Sequence, residues 1–198
     1  MKVGVFSGGG SFGAHTVGVL NKLRPEYSIT YGCATGSLIA PFAVLGEYQL
    51  LKEIYTNISS KDIFKFNPFD RCGHLNFIKV LWRLITGKKT LGDTTNLRNL
   101  IKEKFTEKHY DKIKQLGKDV CITVCSLTNN QKRTNYIYLT KVSYEDFCFY
   151  LWASTCVPVA CSIAEKENAQ YIDGGTTEVT PVLRAIEDCA NDIDIFLH

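Results

Sequence analysis

The sequence lacks several features that would assign a protein to a class at once. No apolar run in its 198 residues reaches the roughly 20 residues that a membrane-spanning helix needs. The N-terminus has no basic stretch followed by a long apolar region, so we expect no signal peptide. The net charge of +3 is too small to indicate a nucleic-acid partner, although it mildly favours an anionic lipid surface. We therefore expect a cytoplasmic or otherwise soluble protein, with secretion by a signal-independent route left open.

The eight cysteines show neither a disulfide framework nor a zinc-site spacing. The sequence contains no Cys-x-x-Cys pair and no Cys/His spacing suited to zinc. Cys121 and Cys125 lie in an apolar stretch with the alternation of a strand, where both would share one face. We expect the cysteines to be small buried side chains in a reducing compartment, and we expect no metal.

Repeats, low-complexity tracts and long linkers are also absent, so the sequence predicts a single domain over residues 1–198. Strands are predicted at residues 2–6, 28–31, 119–128, 133–139, 170–172 and 193–197, with a turn at Asn129-Asn130. Helices are predicted at residues 12–24, 36–46, 143–154 and 181–189, and the stretch 47–116 is rich in helical periodicity. This order predicts an α/β fold with three α/β/α layers around a mostly parallel sheet.

A glycine-rich loop, Ser7-Gly8-Gly9-Gly10-Ser11-Phe12-Gly13, lies between the first predicted strand and helix. Glycines there let backbone N–H groups turn toward one point, and the following helix N-terminus favours an anion. The loop also satisfies the dinucleotide pattern GxGxxG, but the next strand ends Ile29-Thr30-Tyr31-Gly32 without the carboxylate that would bind ribose. We therefore expect an anion or oxyanion site rather than a dinucleotide site or a mere tight turn.

The segment Gly32-Cys33-Ala34-Thr35-Gly36 has the spacing and the strand–helix context of a GxSxG nucleophile elbow. Alanine occupies the serine position. The flanking glycines leave room for a residue in a strained turn whose side chain projects from the sheet. With a methyl group in place of a hydroxyl, acyl transfer through Ala34 is impossible. Taken alone, this segment also fits a simple strand–helix turn.

The third segment is Tyr171-Ile172-Asp173-Gly174-Gly175, which follows a predicted strand. An aspartate there could accept a proton from a nucleophile on a neighbouring strand end. The same residues are also typical of an ordinary Asp-Gly turn.

Together, in this order, the three segments resemble the patatin-like phospholipase family, bacterial type. Two further stretches are similar to that family: Ser37–Ala43 after the elbow, and Trp152–Pro158, which matches an Ala-Ser-x-x-x-Pro segment. Pro181 keeps the family's proline, whereas Val179 replaces an asparagine often seen two residues earlier. The resemblance extends from Val3 to Pro181.

The resemblance implies a lipid acyl hydrolase that cleaves carboxylic esters of the phospholipase A or lysophospholipase kind with a Ser–Asp dyad. It implies no cofactor, no metal and no catalytic histidine, and His15, His74, His109 and His198 stand in no triad-like context. Asp173 would be the dyad base, and the N–H groups of Gly8, Gly9 and Gly10 would form the oxyanion hole. The implied partners are a lipid or phospholipid substrate and a peripheral membrane surface, with neither nucleic acid nor dinucleotide.

Ala34 stands where the family has its serine nucleophile, and three explanations are open. The sequence is an engineered Ser→Ala variant, or it is a natural, catalytically dead protein that binds lipid or a partner, or Cys33 acts as a displaced nucleophile. The intact glycines and Asp173 favour the first. Adjacent elbow side chains point in different directions, which counts against Cys33.

The helical middle contributes three weaker hypotheses. Aromatic residues that could line an acyl pocket are Phe64, Phe66, Phe69, Phe77 and Trp82, and ordinary core packing explains most of them equally well. The stretch from Phe64 to Phe69 is a candidate lid or lipid-facing surface. Arg83, Lys88 and Lys89 could attract phosphate headgroups, or simply form a solvated basic face.

Overall fold

The computed structural model describes residues 1–70, 74, 76–87, 90–127, 133–158 and 160–198. The predicted Asn129-Asn130 turn, the lysines Lys88 and Lys89, and Cys72 lie outside these residues, as do the side chains of Phe77 and Leu84.

A seven-stranded sheet forms the centre of the molecule. Its strands are β1 (Lys2–Phe6), β2 (Ile29–Cys33), β3 (Asp119–Ser126), β4 (Arg133–Tyr138), β5 (Ala164–Lys166), β6 (Ala169–Asp173) and β7 (Asp192–Phe196). The order is β5-β6-β3-β2-β1-β7, and β4 pairs with β3. The pairs β1–β2, β1–β7 and β2–β3 are parallel, whereas β4, β5 and β6 join by antiparallel pairing.

Nine helices are formed by the described residues. They are α1 (Gly13–Leu23), α2 (Thr35–Leu45), α3 (Tyr48–Asn57), α4 (Ser60–Ile63), α5 (Phe77–Ile85), α6 (Thr95–Lys104), α7 (Glu107–Gln115), α8 (Tyr144–Ser154) and α9 (Val182–Glu187). Short 3-10 turns at Gly10–Phe12 and Gly174–Thr176 follow β1 and β6.

Helices cover both faces of the sheet because its buried strands are apolar on both sides. The larger core packs α1, α2, α3, α6, α7 and α8 against Phe6, Val120, Ile122 and Val124. The smaller core, on the other face, packs α9 through Ala185 against Val3, Val5 and Tyr31. An ion pair between Arg184 of α9 and Asp188, the residue after the helix, also reaches the sheet, because Tyr31 donates to the Asp188 carboxylate at 2.9 Å. These layers confirm the predicted fold class.

The pairing of β3 places the functional segments side by side. β2 pairs with the first half of β3, ending with Cys33 opposite Thr123. β6 pairs with the second half, ending with Asp173 opposite Val124. Because Thr123 and Val124 are consecutive, the end of β6 meets the end of β2, and the segments after Cys33 and Asp173 start next to each other.

Some local features differ from the sequence expectations. The strand β5 was not predicted, since three residues on a sheet edge give too short a pattern to recognise. Six of the described cysteines are buried as expected, but Cys189 is exposed. No helix in the described ranges is long and apolar enough to cross a membrane.

Candidate active site

The elbow between β2 and α2 holds Ala34 in a backbone conformation that non-glycine residues rarely adopt. Its φ is 48° and its ψ is −119°. The two flanking glycines permit this turn by close approach. A Cβ on Gly32 would lie 2.5 Å from the carbonyl oxygen of Gly36, and one on Gly36 would overlap the carbonyl oxygen of Phe6. Glycine is therefore required at both positions, because any side chain there would collide with neighbouring backbone atoms.

Two serines fix the Ala34 peptide groups. The Oγ of Ser154, at the end of α8, accepts from the N–H of Ala34 at 3.0 Å and donates to the carbonyl of Thr123 at 2.7 Å. The Oγ of Ser37 donates to the carbonyl of Ala34 at 2.6 Å. Ser154 is fully buried, so these bonds are shielded from water. They hold the elbow in place against the strain of its positive φ.

Asp173 ends β6 as a buried carboxylate. Its Oδ1 accepts from the N–H of Gly175 at 2.6 Å, and its own N–H donates to the carbonyl of Cys156 at 2.9 Å. Burial raises the pKa of Asp173 from 3.8 to about 6, and the bond from Gly175 offsets part of that rise. A carboxyl group with this pKa is ionised at neutral pH yet remains a usable base.

Cys33 does not have the environment of a nucleophile. Its side chain is fully buried, and burial raises the pKa of the thiol to about 12. The Sγ lies 4.0 Å from Oδ1 of Asp173, which leaves it at most a weak hydrogen bond. A thiol that stays protonated beneath the elbow is a packing residue.

The glycine loop runs past Ala34, but its three N–H groups are not equivalent. The N–H of Gly8 donates to the carbonyl of Val179 at 2.9 Å, so it is already engaged. No described residue accepts from the N–H of Gly9 or of Gly10, and Gly10 has a positive φ of 58°. A Cβ on Gly8 would lie 3.3 Å from the Cβ of Ala34, which shows how close the loop and the elbow are.

His198 supports this loop from the end of β7. Its backbone N–H donates to Oγ of Ser7 at 2.9 Å, and its Nε2 lies 2.6 Å from Oγ1 of Thr16. A Cβ on Gly9 would overlap the His198 side chain, which explains the glycine there. Burial lowers the pKa of the His198 imidazole. His198 therefore helps to set the conformation of the glycine loop.

A cavity of about 1020 Å³ connects these groups. At one end it is lined by Gly8, Gly9, Gly10, Ala34 and Asp173. From there it extends between α2, α3, α4 and α6, where its wall is aliphatic and aromatic. Representative lining residues are Leu38, Phe42, Leu51, Ile54, Leu97 and Ile101. The cavity therefore has a polar end joined to an apolar chamber, a combination that suits a ligand with an ester and a hydrocarbon chain.

The structure changes the hypotheses about the helical middle. Of the candidate pocket aromatics, Phe64 lines the cavity. Phe66 stacks on Trp82 with ring centroids 6.4 Å apart, and Phe69 packs edge-on against Phe64. Arg83 is buried and donates to the carbonyls of Thr90 and Gly92, so for this residue both alternatives, contact with phosphate headgroups and a solvated basic face, are wrong.

Comparisons with known proteins place the chain in a family. A family model described as patatin-like phospholipase matches residues 4–186. The chain belongs to the patatin-like phospholipase family. A comparison with curated proteins gave no match. The crystal structure of VipD from Legionella pneumophila aligns with a TM-score of 0.56 at 12% identity, covering 89% of this chain and 46% of that one. The chain thus spans about half the length of VipD, and at this identity the likeness concerns the fold.

Membership confirms the resemblance drawn from the three sequence segments. Among the described residues, no group of three or more His, Cys, Asp or Glu side chains is arranged to hold a metal ion. Two positions that shape the site, Ser154 and His198, were not identified as such from the sequence. Ser154 had a signal in the Ala-Ser-x-x-x-Pro stretch, whereas His198 had none.

Proposed function

We propose that this domain has the site of a serine acyl hydrolase acting on lipid esters, with Ala34 in the position of the nucleophile. The observation that carries the proposal is the backbone of Ala34, held at φ 48° and ψ −119° at the end of an apolar cavity that Asp173 also lines. A strained turn of this kind has no packing purpose for an alanine, but it presents a serine hydroxyl to a substrate.

The geometry supports a two-residue mechanism. A hydroxyl at position 34 would attack the ester carbonyl while Asp173 accepts its proton. The N–H groups of Gly9 and Gly10 are the loop's open donors for the developing oxyanion, since Gly8 is bonded to Val179. The alcohol leaves with the proton, and water then hydrolyses the acyl intermediate with Asp173 again acting as base. The acyl chain occupies the apolar chamber throughout.

Without that hydroxyl, the present chain should bind a lipid ester and fail to cleave it. Of the three explanations for Ala34, we favour a Ser→Ala replacement in an otherwise complete site. The buried, protonated thiol of Cys33 counts against a displaced nucleophile.

The direct test is Ala34→Ser, assayed on a short-chain chromogenic ester and on phospholipid vesicles. We expect turnover from Ala34→Ser, and its loss when Asp173→Asn is added. Ala14→Ser is a matched control, because Ala14 also lines the cavity but lies outside the elbow. No turnover by Ala34→Ser on any ester would contradict the proposal, and so would equal turnover by Ala14→Ser.

The pKa of Asp173 adds a pH dependence. If Asp173 is the base, kcat/KM of the Ala34→Ser variant should rise with pH, reach half of its maximum near pH 6 and level off about one pH unit higher, where the carboxylate is almost fully formed. A profile that is flat from pH 4.5 to 8 would remove Asp173 from that role.

Lipid binding without catalysis is the second candidate, and Ala34 itself is the observation that favours it. In that case the unmodified chain would bind a fatty acid or lysolipid saturably, and Ala34→Ser would bind equally well without turnover.

A further inference from the structure

Helix α5 carries an apolar stripe that faces solvent. Ile78, Leu81, Trp82 and Ile85 have the i, i+3, i+4, i+7 spacing of a single helix face. Each is between 60% and 82% exposed. On a helix that packs its apolar face into the core, these positions would be the buried ones. Here the stripe is turned outward, and no residue in the described part of the chain covers it, which marks it as a candidate interaction surface.

On the opposite side of α5, the polar residue Arg83 packs the helix against the rest of the protein. The guanidinium of Arg83 donates to the carbonyls of Thr90 and Gly92 at 2.7 and 3.0 Å and lies 4.7 Å from the ring centroid of Phe66. These contacts fix the rotation of the helix about its axis. The buried Arg83 therefore keeps the apolar stripe facing solvent.

The charge around α5 indicates what kind of partner fits. From position 71 to position 92 the sequence has five Lys or Arg residues and no Asp or Glu, although the whole chain holds 20 acidic residues. Lys79 is exposed beside the stripe. Arg83, by contrast, is buried. An exposed apolar stripe with aromatic Trp82, in a segment whose charged residues are all basic, has the composition of a helix that lies in the interface of an anionic membrane.

The stripe is also connected to the cavity wall. Trp82 stacks on Phe66, and Phe66 pairs with Asp93 in an isolated bridge. Asp93 precedes Thr94, which lines the cavity together with Phe64. The stripe is therefore linked to the cavity wall through Phe66 and Asp93.

We propose that α5 is an interfacial docking helix that inserts Ile78, Leu81, Trp82 and Ile85 into the surface of an anionic lipid bilayer. This inference names the surface to which the proposed hydrolase site would be presented. It concerns binding, so it can be tested on the Ala34 chain without any turnover.

The experiment measures partitioning of the full chain onto vesicles of phosphatidylcholine with 30% phosphatidylserine and onto vesicles of phosphatidylcholine alone. Leu81→Asp and Ile85→Asp should each lower the partition coefficient on the anionic vesicles by roughly tenfold or more, because an apolar insertion is replaced by a charge. Lys79→Glu should lower it by about fivefold or more, and by less at high salt. All three positions are exposed, so the fold should persist.

Matched controls lie at the far end of α1. Leu23 is 66% exposed and Lys22 is its exposed neighbour, and both precede the start of β2, at the opposite edge of the sheet from the elbow. Leu23→Asp and Lys22→Glu should leave partitioning unchanged. A second readout uses the two tryptophans, since Trp152 is buried. Brominated lipid should quench Trp82 emission, and Trp82→Phe should remove that quenching.

Three outcomes would overturn the proposal. The unmodified chain fails to bind anionic vesicles, or the α5 variants bind as well as the α1 controls, or Trp82 is not quenched. If Leu81→Asp instead turns a dimer into a monomer without changing vesicle binding, the stripe is an interface between copies of the chain and the proposal is wrong. Ester turnover by Ala34→Ser is measured separately, so either proposal can fail alone.

Discussion

Asparagine in place of Asp173 should make the folded protein more stable at pH 8. Burial raises the pKa of this carboxyl group from 3.8 to about 6, which means that the native state disfavours the charge. Each pKa unit is worth about 1.4 kcal/mol, so the difference corresponds to roughly 3 kcal/mol. Asparagine carries no charge, and its side-chain carbonyl can still accept from Gly175.

The sign of the effect determines its pH dependence. Below about pH 3.8 the carboxyl group is protonated in both the folded and the unfolded chain, so it contributes no penalty. The penalty grows as the pH rises from about 3.8 to about 6 and is complete above that. Since the new amide N–H₂ needs partners in a buried place, we expect Asp173→Asn to gain about 1–3 kcal/mol at pH 8 and close to none near pH 4.

Urea unfolding at pH 4, 6 and 8 measures this gain, and melting temperatures should rise by about 2–4 °C per kcal/mol. Asp111→Asn is the control, because Asp111 is exposed on α7 and its replacement should change stability little at any pH. Equal stability of Asp173→Asn and the unmodified chain at pH 8, or a gain that does not grow with pH, would refute the argument that the fold keeps a costly base in its site.

Three further changes test the backbone of the site by urea unfolding. Ser154→Ala should cost roughly 1–3 kcal/mol because the buried N–H of Ala34 loses its acceptor, and a loss below about 0.5 kcal/mol would count against this. Gly36→Ala should cost more than about 3 kcal/mol because its Cβ overlaps the Phe6 carbonyl, whereas Gly18→Ala, in open space on α1, should gain about 0.5–1 kcal/mol. Ala34→Gly should stabilise by about 1 kcal/mol because glycine relieves the strain of the positive φ, and a loss of stability would contradict that cost.

The sequence was sufficient to predict those parts of the site that depend on local backbone requirements. Glycines at 32 and 36 around a strand–helix turn, and an Asp-Gly pair after a strand, are constraints within a few residues, and the structure keeps each of them at a strand end. The three-layer fold class could be predicted as well, because each strand and helix has its own local pattern and their order along the chain indicates the layers. The strand β5 was missed because its three residues become a strand only by pairing with β6.

Contacts between distant segments could not be predicted from sequence. Ser154 bonds to Ala34 across 120 positions, and His198 bonds to Ser7 across 191. The engagement of Gly8 by Val179 likewise appears only when β1 and the loop before α9 meet. Arg83 shows that the exposure of a charged residue is also hard to predict. A basic residue in an amphipathic helix predicts an exposed side chain, but Arg83 is buried because it donates to the nearby carbonyl of Thr90.

The free-energy costs gathered at this end of the cavity bear on why position 34 holds alanine. A non-glycine residue at φ 48° costs about 1–3 kcal/mol, and a buried carboxylate with a pKa near 6 costs roughly 3 more at neutral pH. Neither feature is needed to pack the sheet, so a protein without catalytic use for them would gain stability by losing either one. Both remain beside an open pair of glycine N–H groups. That combination favours our proposal that alanine replaced a serine in a complete site, because long drift after loss of activity would be expected to remove the costs along with the hydroxyl.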